Sequence, residues 1–191
     1  MMAKTEYSRF LLDLLDGIDL NFGAIVEEIV NCIDGGNSIW IMGNGGSAST
    51  AEHLETDLSF VRLGSAISSI KVSALTANSA LITAIANDIG FEHVFSHQLF
   101  RKANSGDICI LISASGNSAN LVLATQTAKK LNLITIGILG FDGGKLADLV
   151  DYPVIVSTEI GKYGPVEDVH LAICHELSSL ICSRLLTKGE V

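Results

Sequence analysis

Two patterns of apolar positions alternate along the chain. Short, nearly continuous apolar runs predict buried β-strands, and longer segments with apolar residues three or four positions apart predict helices. The predicted strands cover the run from Ser38 to the glycines at 43–46, then residues 67–74, 107–113, 133–139 and 152–156. The predicted helices cover residues 48–58, 78–86, 91–102, 121–131, 145–149 and 164–185. This alternation predicts one α/β domain over residues 1–191, with a parallel sheet of about five strands and helices on both faces.

The segment before the first strand is also helical in pattern. Residues 7–33 predict one long helix, or two helices joined near Gly17, and Gly35-Gly36 ends the pattern. We expect this segment to pack across a subunit interface, with packing against its own sheet as the alternative. Pro165 suits the first turn of the last helix because proline lacks the N–H that would be unpaired there.

The first strand ends in a glycine-rich loop, Gly43-Asn-Gly-Gly-Ser47, which leads into a helix. Glycines permit tight backbone turns, and the first N–H groups of a helix lack intrahelical partners. This arrangement predicts an anion site of phosphate size. An ordinary strand-to-helix turn is the alternative.

A second loop of the same kind follows the strand at 107–113. It reads Ala114-Ser-Gly-Asn-Ser-Ala-Asn120 and also precedes a helix. The carboxyl ends of parallel strands meet at one edge of the sheet, where ligands of open α/β sheets bind. We therefore expect the two loops to form one site.

Two nucleotide-binding motifs fit the first loop poorly. Gly43-Asn-Gly-Gly-Ser-Ala48 matches G-x-G-x-x-A, but the next strand ends in Lys71-Val-Ser-Ala74, without the acidic residue that holds a ribose. Asp57 has about the right spacing but lies inside the predicted helix. No Gly-Lys-Ser/Thr sequence follows the glycines, which argues against a P-loop.

Composition and charge narrow the function classes. The 191 residues carry a formal net charge of −9, which argues against direct nucleic-acid binding. Hydrophobic residues make up 48% of the chain and the mean hydropathy is +0.44, so we expect buried strands and subunit interfaces to hide apolar surface. No apolar run approaches the roughly 20 residues of a membrane span, and the first residues do not resemble a secretory signal. These features predict a cytoplasmic protein with no membrane partner.

The four cysteines show no C-x-x-C pairing and lie in apolar segments, which predicts free thiols in the core. They are Cys32, Cys109, Cys174 and Cys182.

Two predicted helices each carry a histidine and a carboxylate. His53 and Asp57 lie four residues apart, on one helix face. Glu167 and His175 lie eight residues apart, about 80° around the last helix, and can share a broad face. These four residues suit an acid–base pair or a metal site. Helix-dipole stabilisation of Glu167 and a structural role for the histidines are the alternatives.

Several motifs together resemble sugar isomerase (SIS) domains, and more narrowly the phosphoheptose isomerases. They are Gly43-Asn-Gly-Gly-Ser47, Ser113-Ala-Ser-Gly-Asn-Ser118, Ala86-Asn-Asp-Ile-Gly-Phe91, Gly140-Phe-Asp-Gly-Gly-Lys145 and Tyr163-Gly-Pro-Val-Glu-Asp-Val-His170. The resemblance covers nearly the whole chain. It implies a flavodoxin-like three-layer sandwich that forms a homotetramer with active sites at subunit interfaces.

The resemblance also implies roles for individual residues. The phosphate-binding positions fall on Ser47, Ser113, Ser115 and Ser118, with the backbone of Gly45 and Gly46, and the sugar-hydroxyl positions fall on Asn44 and Asp88. The positions that surround zinc fall on His53, Asp57, Glu167 and His175. Glu167 is also implied to contact substrate. Asp57 is implied as the base and His175 as the acid of a ketose–aldose isomerisation of sedoheptulose 7-phosphate, which supplies heptose for surface polysaccharide.

Three positions depart from the pattern of many family members. Asp57 replaces Glu, Glu167 replaces Gln, and Val61 stands where an arginine is usual. Two non-enzymatic functions remain as alternatives: a catalytically silent scaffold for a replication initiator protein, and a sugar-phosphate-binding regulator. Retention of both His53 and His175 favours the enzyme.

Overall fold

A computed structural model describes residues 5–18, 22–63, 66–67 and 70–188. Its strands are β1 (Ser38–Gly43), β2 (Arg62–Leu63), β3 (Ala66–Ile67), β4 (Lys71–Ala74), β5 (Ile108–Ser113), β6 (Ile134–Gly140) and β7 (Tyr152–Val156). Its helices are α1 (Glu6–Gly17), α2 (Gly23–Asp34), α3 (Gly46–Ser59), α4 (Ser79–Asp88), α5 (Ser96–Lys102), α6 (Ala119–Lys130), α7 (Gly144–Ala147) and α8 (Tyr163–Lys188).

Five parallel strands form the central sheet in the order β4-β1-β5-β6-β7. The chain winds first to one side of β1 and then, from β5, to the other. This order creates a topological switch point between β1 and β5, where ligands of doubly wound sheets bind. The predicted parallel sheet is confirmed.

Helices cover both faces of the sheet, as the sequence predicts. Successive residues of β5 face opposite ways, because side chains alternate along a strand. Ile108, Ile110 and Ile112 pack with α2, α3 and α8, whereas Cys109 and Leu111 pack with α4, α5 and α6. The protein is therefore a three-layer sandwich with a core on each side of the sheet.

The buried Asp107 fixes the start of β5 to its neighbour. Its carboxylate accepts hydrogen bonds from the Ser38 amide (2.8 Å), the Trp40 indole (2.8 Å) and the Asn104 amide (2.9 Å). Three donors satisfy a charge that would be costly to bury alone.

The N-terminal segment forms two helices. α2 contacts β1 and α8, so it covers its own sheet. α1 contacts α8 and has no fully buried residue. The two-helix form of the prediction, with a break after Gly17, is therefore the correct one.

Two other predicted elements are wrong in detail. Of the predicted strand 67–74, residues 71–74 form β4, whereas Ile67 pairs in a small antiparallel hairpin, β2–β3, and residues 68–69 lie outside the described part. The predicted helix 91–102 is split into a 3₁₀ turn, Phe91–His93, and α5. Val94 and Phe95, between these two pieces, are both buried, and their packing overrides the helical pattern. The predicted helix 78–86 extends two residues further, so that Asp88 is the last residue of α4.

One described helix, α8, is long and apolar enough to cross a membrane, with a mean hydropathy of 1.2. This is weak evidence for a span, because the core helices of globular proteins meet the same criterion. One face of α8, with Val169, Ile173 and Leu177, is buried in the core, whereas Leu180 is partly buried and Leu186 is 40% exposed. Packing within the domain therefore accounts for the apolar residues of this face.

None of the four cysteines, all within the described part of the chain, forms a disulfide, as predicted; Cys32, Cys109 and Cys174 are buried in the core, whereas Cys182 is partly buried. Burial raises the pKa of Cys32 to about 11 and that of Cys174 to about 12, and it raises the pKa of Cys109 as well. Their thiols therefore stay protonated near neutral pH.

Candidate active site

The loop after β1 is tightly folded against the start of α3. Gly45 adopts φ +57°, a conformation that favours glycine, and it occupies the N-cap position without a side-chain hydrogen bond to the helix. A Cβ at Gly43 would lie 2.6 Å from the Ser47 carbonyl oxygen. The loop can therefore bring backbone N–H groups and the buried Ser47 close to an anion.

The loop after β5 is held by its own polar groups. The Ser113 hydroxyl accepts a hydrogen bond from the Gly116 amide (3.0 Å), and the Ser115 hydroxyl accepts one from the Asn117 amide (3.3 Å). Ser118 is the N-cap of α6 and makes no side-chain hydrogen bond to the helix. Its hydroxyl and the first amides of α6 suit contact with a ligand.

The turn between β6 and α7, together with the first residues of α7, supports the second loop. The Leu146 amide donates to the Gly116 carbonyl (3.0 Å), and the Lys145 amide donates to the Asn117 side-chain oxygen (3.1 Å). Gly116 has φ +60°, and a Cβ there would lie 1.9 Å from the Gly143 carbonyl oxygen. Only glycine permits this approach.

Asn44 and Asn120 join the loop after β1 to the start of α6. Each side-chain amide donates to the oxygen of the other, and both distances are 2.9 Å. Asn120 is only 3% exposed. The sequence predicts Asn44 at the site but does not single out Asn120. The one sequence signal at Asn120 is that asparagine, a poor helix former, stands in the first turn of a helix.

His53, Asp57 and His175 come together where α3 and α8 touch. The Nε2 atoms of the two histidines are 2.9 Å apart, and Asp57 lies 3.6 Å from His53 and 3.9 Å from His175. The histidine rings meet edge to face with centroids 4.9 Å apart. The two histidine side chains are about half exposed, at 46% and 53%, so the cluster opens to solvent.

Glu167 lies beside the first loop, outside this three-residue cluster. A Cβ at Gly46 would lie 2.6–2.8 Å from the atoms of the Glu167 carboxyl group, so the glycine makes room for it. The carboxylate is thus placed at the N-terminus of α3, which favours negative charge. α8 packs alongside α3, and the contacts Gly46–Glu167 and His53–His175 lie along this shared face.

The three clustered side chains suit a zinc ion. Two imidazole nitrogens and a carboxylate oxygen form a common catalytic zinc set with an open fourth position. Tetrahedral ligands about 2.0–2.1 Å from zinc lie about 3.4 Å from one another. The ligand atoms here lie within 4.8 Å of one another, with the separations given above, so small side-chain movements would suffice.

Two other residues do not join the cluster. Asp88 is exposed and accepts a hydrogen bond from its neighbour Asn87 (2.7 Å). Val61, which stands in place of the usual arginine, is buried in the core. It leaves no cation at that position.

Known proteins resemble this chain over most of its length. The family model described as the SIS domain matches residues 6–140. The phosphoheptose isomerase of Geotalea daltonii is 39% identical over 85% of this chain and 83% of its own length. That of Crocosphaera subtropica is 41% identical over 81% of this chain and 77% of its own length.

A solved structure shows the same fold. The phosphoheptose isomerase GmhA from Neisseria gonorrhoeae superposes with a TM-score of 0.82 at 30% sequence identity, covering 93% of this chain and 94% of that one. The scaffold and regulator alternatives are not favoured, since these relatives are named as isomerases. The chain belongs to the SIS-domain family, and within it to the phosphoheptose isomerases.

Proposed function

We propose that this enzyme interconverts sedoheptulose 7-phosphate and D-glycero-D-manno-heptose 7-phosphate, for the synthesis of surface heptose. The observation that carries the proposal is the layout of α3. Its N-terminus follows the glycine-rich loop after β1. His53, six residues after Ser47, lies about 9 Å further along the helix axis. An open-chain sugar held by its phosphate at the loops can thus extend toward the His53–Asp57–His175 cluster.

The loops would bind the phosphate through neutral groups. Ser47, Ser113, Ser115 and Ser118, with the backbone of Gly45 and Gly46, are the proposed contacts. Asn44 and Asp88 are the proposed partners of sugar hydroxyls. Neutral donors fit a chain with a net charge of −9, since they bind an anion without a cluster of basic residues.

The cluster would carry the proton transfers. Asp57 removes a proton from the carbon beside the carbonyl, and His175 returns a proton across the resulting enediol, with the roles exchanged in the reverse direction. The two side chains lie 3.9 Å apart, so one substrate carbon pair can contact both.

A zinc ion fits the donors of His53, Asp57 and His175. Glu167, which the resemblance adds to this set, lies against Gly46 and would have to move to become a ligand. A bound divalent cation would polarise the carbonyl and stabilise the negative charge that develops on oxygen. The residues of the chain would orient the substrate and move the protons.

We also propose a homotetramer in the cytoplasm, with a neighbouring subunit covering each active site. The half-exposed histidines support this, because enolisation is favoured in a site that excludes water. α1 has no fully buried residue and offers an outer surface for such a contact.

The test is an NMR or coupled assay of turnover of sedoheptulose 7-phosphate, with zinc, after chelation, and after zinc is restored. We expect product formation that chelation abolishes and zinc restores. His175→Ala should lower turnover by at least 100-fold, the scale of one acid–base group, while the phosphosugar still binds. His97→Ala is the matched control, because His97 is an exposed histidine on α5.

Three results would contradict parts of the proposal. Turnover that survives thorough chelation would show that the protein is an isomerase that needs no metal. Normal turnover by His175→Ala would remove His175 from the mechanism. Phosphosugar binding without turnover in any condition would indicate another ketose phosphate or a scaffold.

A further inference from the structure

The amide pair Asn44–Asn120 lies at the switch point of the sheet. β1 and β5 are neighbours, with Gly43 in register with Ile112, so the loops that follow them start side by side. Asn44 is the first residue after β1, and Asn120 is the second residue of α6. The pair therefore links the two segments that carry the candidate phosphate contacts.

The pairing fixes both side chains. With two hydrogen bonds of 2.9 Å, turning either amide alone would place NH₂ against NH₂ and oxygen against oxygen. An unpaired Asn120 amide would be costly, because it is buried and would lose its partner without gaining water. The arrangement is thus held in one state.

The pairing leaves Asn44 able to bind a ligand. A side-chain amide has two N–H donors and an oxygen with two lone pairs, and the pair uses one of each. The remaining N–H and lone pair of the half-buried Asn44 are held in a fixed direction.

We propose that Asn120 is a positioning residue, which through its amide pair with Asn44 sets the spacing of the two phosphate-binding loops and the orientation of the Asn44 amide. This inference rests on the proposed function of the loops. Preorganised loops avoid the cost of ordering on binding, so loss of the pair should weaken ligand affinity.

The experiment measures binding of inorganic phosphate by calorimetry to wild type, Asn44→Ala, Asn120→Ala and the double variant. Inorganic phosphate has no sugar hydroxyls, so it tests the loops without the direct contact that Asn44 makes to sugar. We expect each single variant to raise the Kd about tenfold and the double variant to raise it no further, because both changes break one link. Gln126→Ala, an exposed residue of the same helix, is the control.

Steady-state kinetics with sedoheptulose 7-phosphate separate positioning from general destabilisation. A less stable fold would lower the active fraction and hence the apparent kcat, whereas misplaced loops should raise KM more than they lower kcat. If Asn120→Ala does not fold, Asn120→Ser keeps a small polar side chain that is too short to reach Asn44, and the same results are expected.

Wild-type phosphate affinity in a folded Asn120 variant, or additive losses in the double variant, would overturn the inference. If wild type binds phosphate but does not turn over the sugar, the proposed function fails while the phosphate comparison still decides the role of Asn120. If wild type binds no phosphate, both fail.

Discussion

His170 is a buried imidazole without a well-aligned hydrogen bond to any described residue. It lies on α8, is 1% exposed, and its ring nitrogens make no well-aligned hydrogen bond within the described residues, although the backbone of Leu139 lies close. Burial lowers its pKa to about 4, and the backbone of Leu139 offsets part of this shift. The neutral ring is therefore the form that the fold accommodates.

This burial predicts a loss of stability in acid. The unfolded chain binds a proton at His170 near pH 6.5 and the folded chain only near pH 4, so the free energy of unfolding falls as the pH drops through this window. The full effect is about 3 kcal/mol, since one pKa unit corresponds to about 1.4 kcal/mol. The measurement is urea unfolding from pH 7 to pH 4, expressed as wild type minus His170→Gln.

The difference between the two proteins isolates His170 from the carboxylates that titrate in the same range. His97→Gln, at an exposed site, should keep the pH dependence of wild type. Parallel curves for wild type and His170→Gln would show that the imidazole already finds a partner for its proton in the folded state.

At the scale of elements, the three loops at the carboxyl edge of the sheet support one another. The first residues of α7, after β6, donate hydrogen bonds to the loop after β5, which is in turn linked through Asn120 to the loop after β1. Gly116, in the loop after β5, lies against the backbone of Gly143, in the turn between β6 and α7. A change there should therefore affect both stability and ligand binding.

Gly116→Ala should destabilise the protein by clearly more than the usual cost of an alanine at positive φ. That cost alone is roughly 1–2 kcal/mol. At Gly116 the new Cβ would also meet the Gly143 carbonyl, and backbone on both sides cannot easily give way. Gly36→Ala is the matched control, because Gly36 has φ +69° with nothing within 4 Å of the added Cβ.

The measurement is the free energy of unfolding in urea at equal protein concentration, together with the Kd for inorganic phosphate. We expect Gly36→Ala to lose only the conformational cost and to bind phosphate normally. If both variants lose the same free energy of unfolding, the backbone at Gly116 and Gly143 must move apart without strain.

The sequence predicted those elements whose pattern is local. The apolar run of β5 and the glycines after β1 are visible without tertiary information, and so is the His53–Asp57 spacing. The β2–β3 hairpin and the 3₁₀ turn at Phe91–His93 were missed. The 3₁₀ turn depends on the burial of Val94 and Phe95, which the local pattern does not show. The Asn44–Asn120 pair joins residues 76 positions apart, and no spacing rule reveals it.

At the scale of the whole molecule, the described chain leaves apolar side chains in solvent on α1. Leu12 is 40% exposed and Leu15 is 36% exposed, whereas Leu11 and Leu14 pack against the core. α1 is tied to α8 by a hydrogen bond from the Tyr7 hydroxyl to Asp168, which raises the pKa of Tyr7. The helix is thus fixed in place with apolar surface outward, as an interface helix would be.

If this surface joins subunits, Leu12→Glu with Leu15→Glu should dissociate the proposed tetramer of 20.2-kDa chains, because burying two carboxylates at an interface is costly. Sedimentation velocity measures the mass, and Ser105→Glu with Gln126→Glu adds the same charge at exposed sites elsewhere as a control. Turnover should fall with the mass, because the half-exposed histidines lose their cover. A double variant that keeps both its mass and its turnover would show that α1 faces solvent and that another surface joins the subunits.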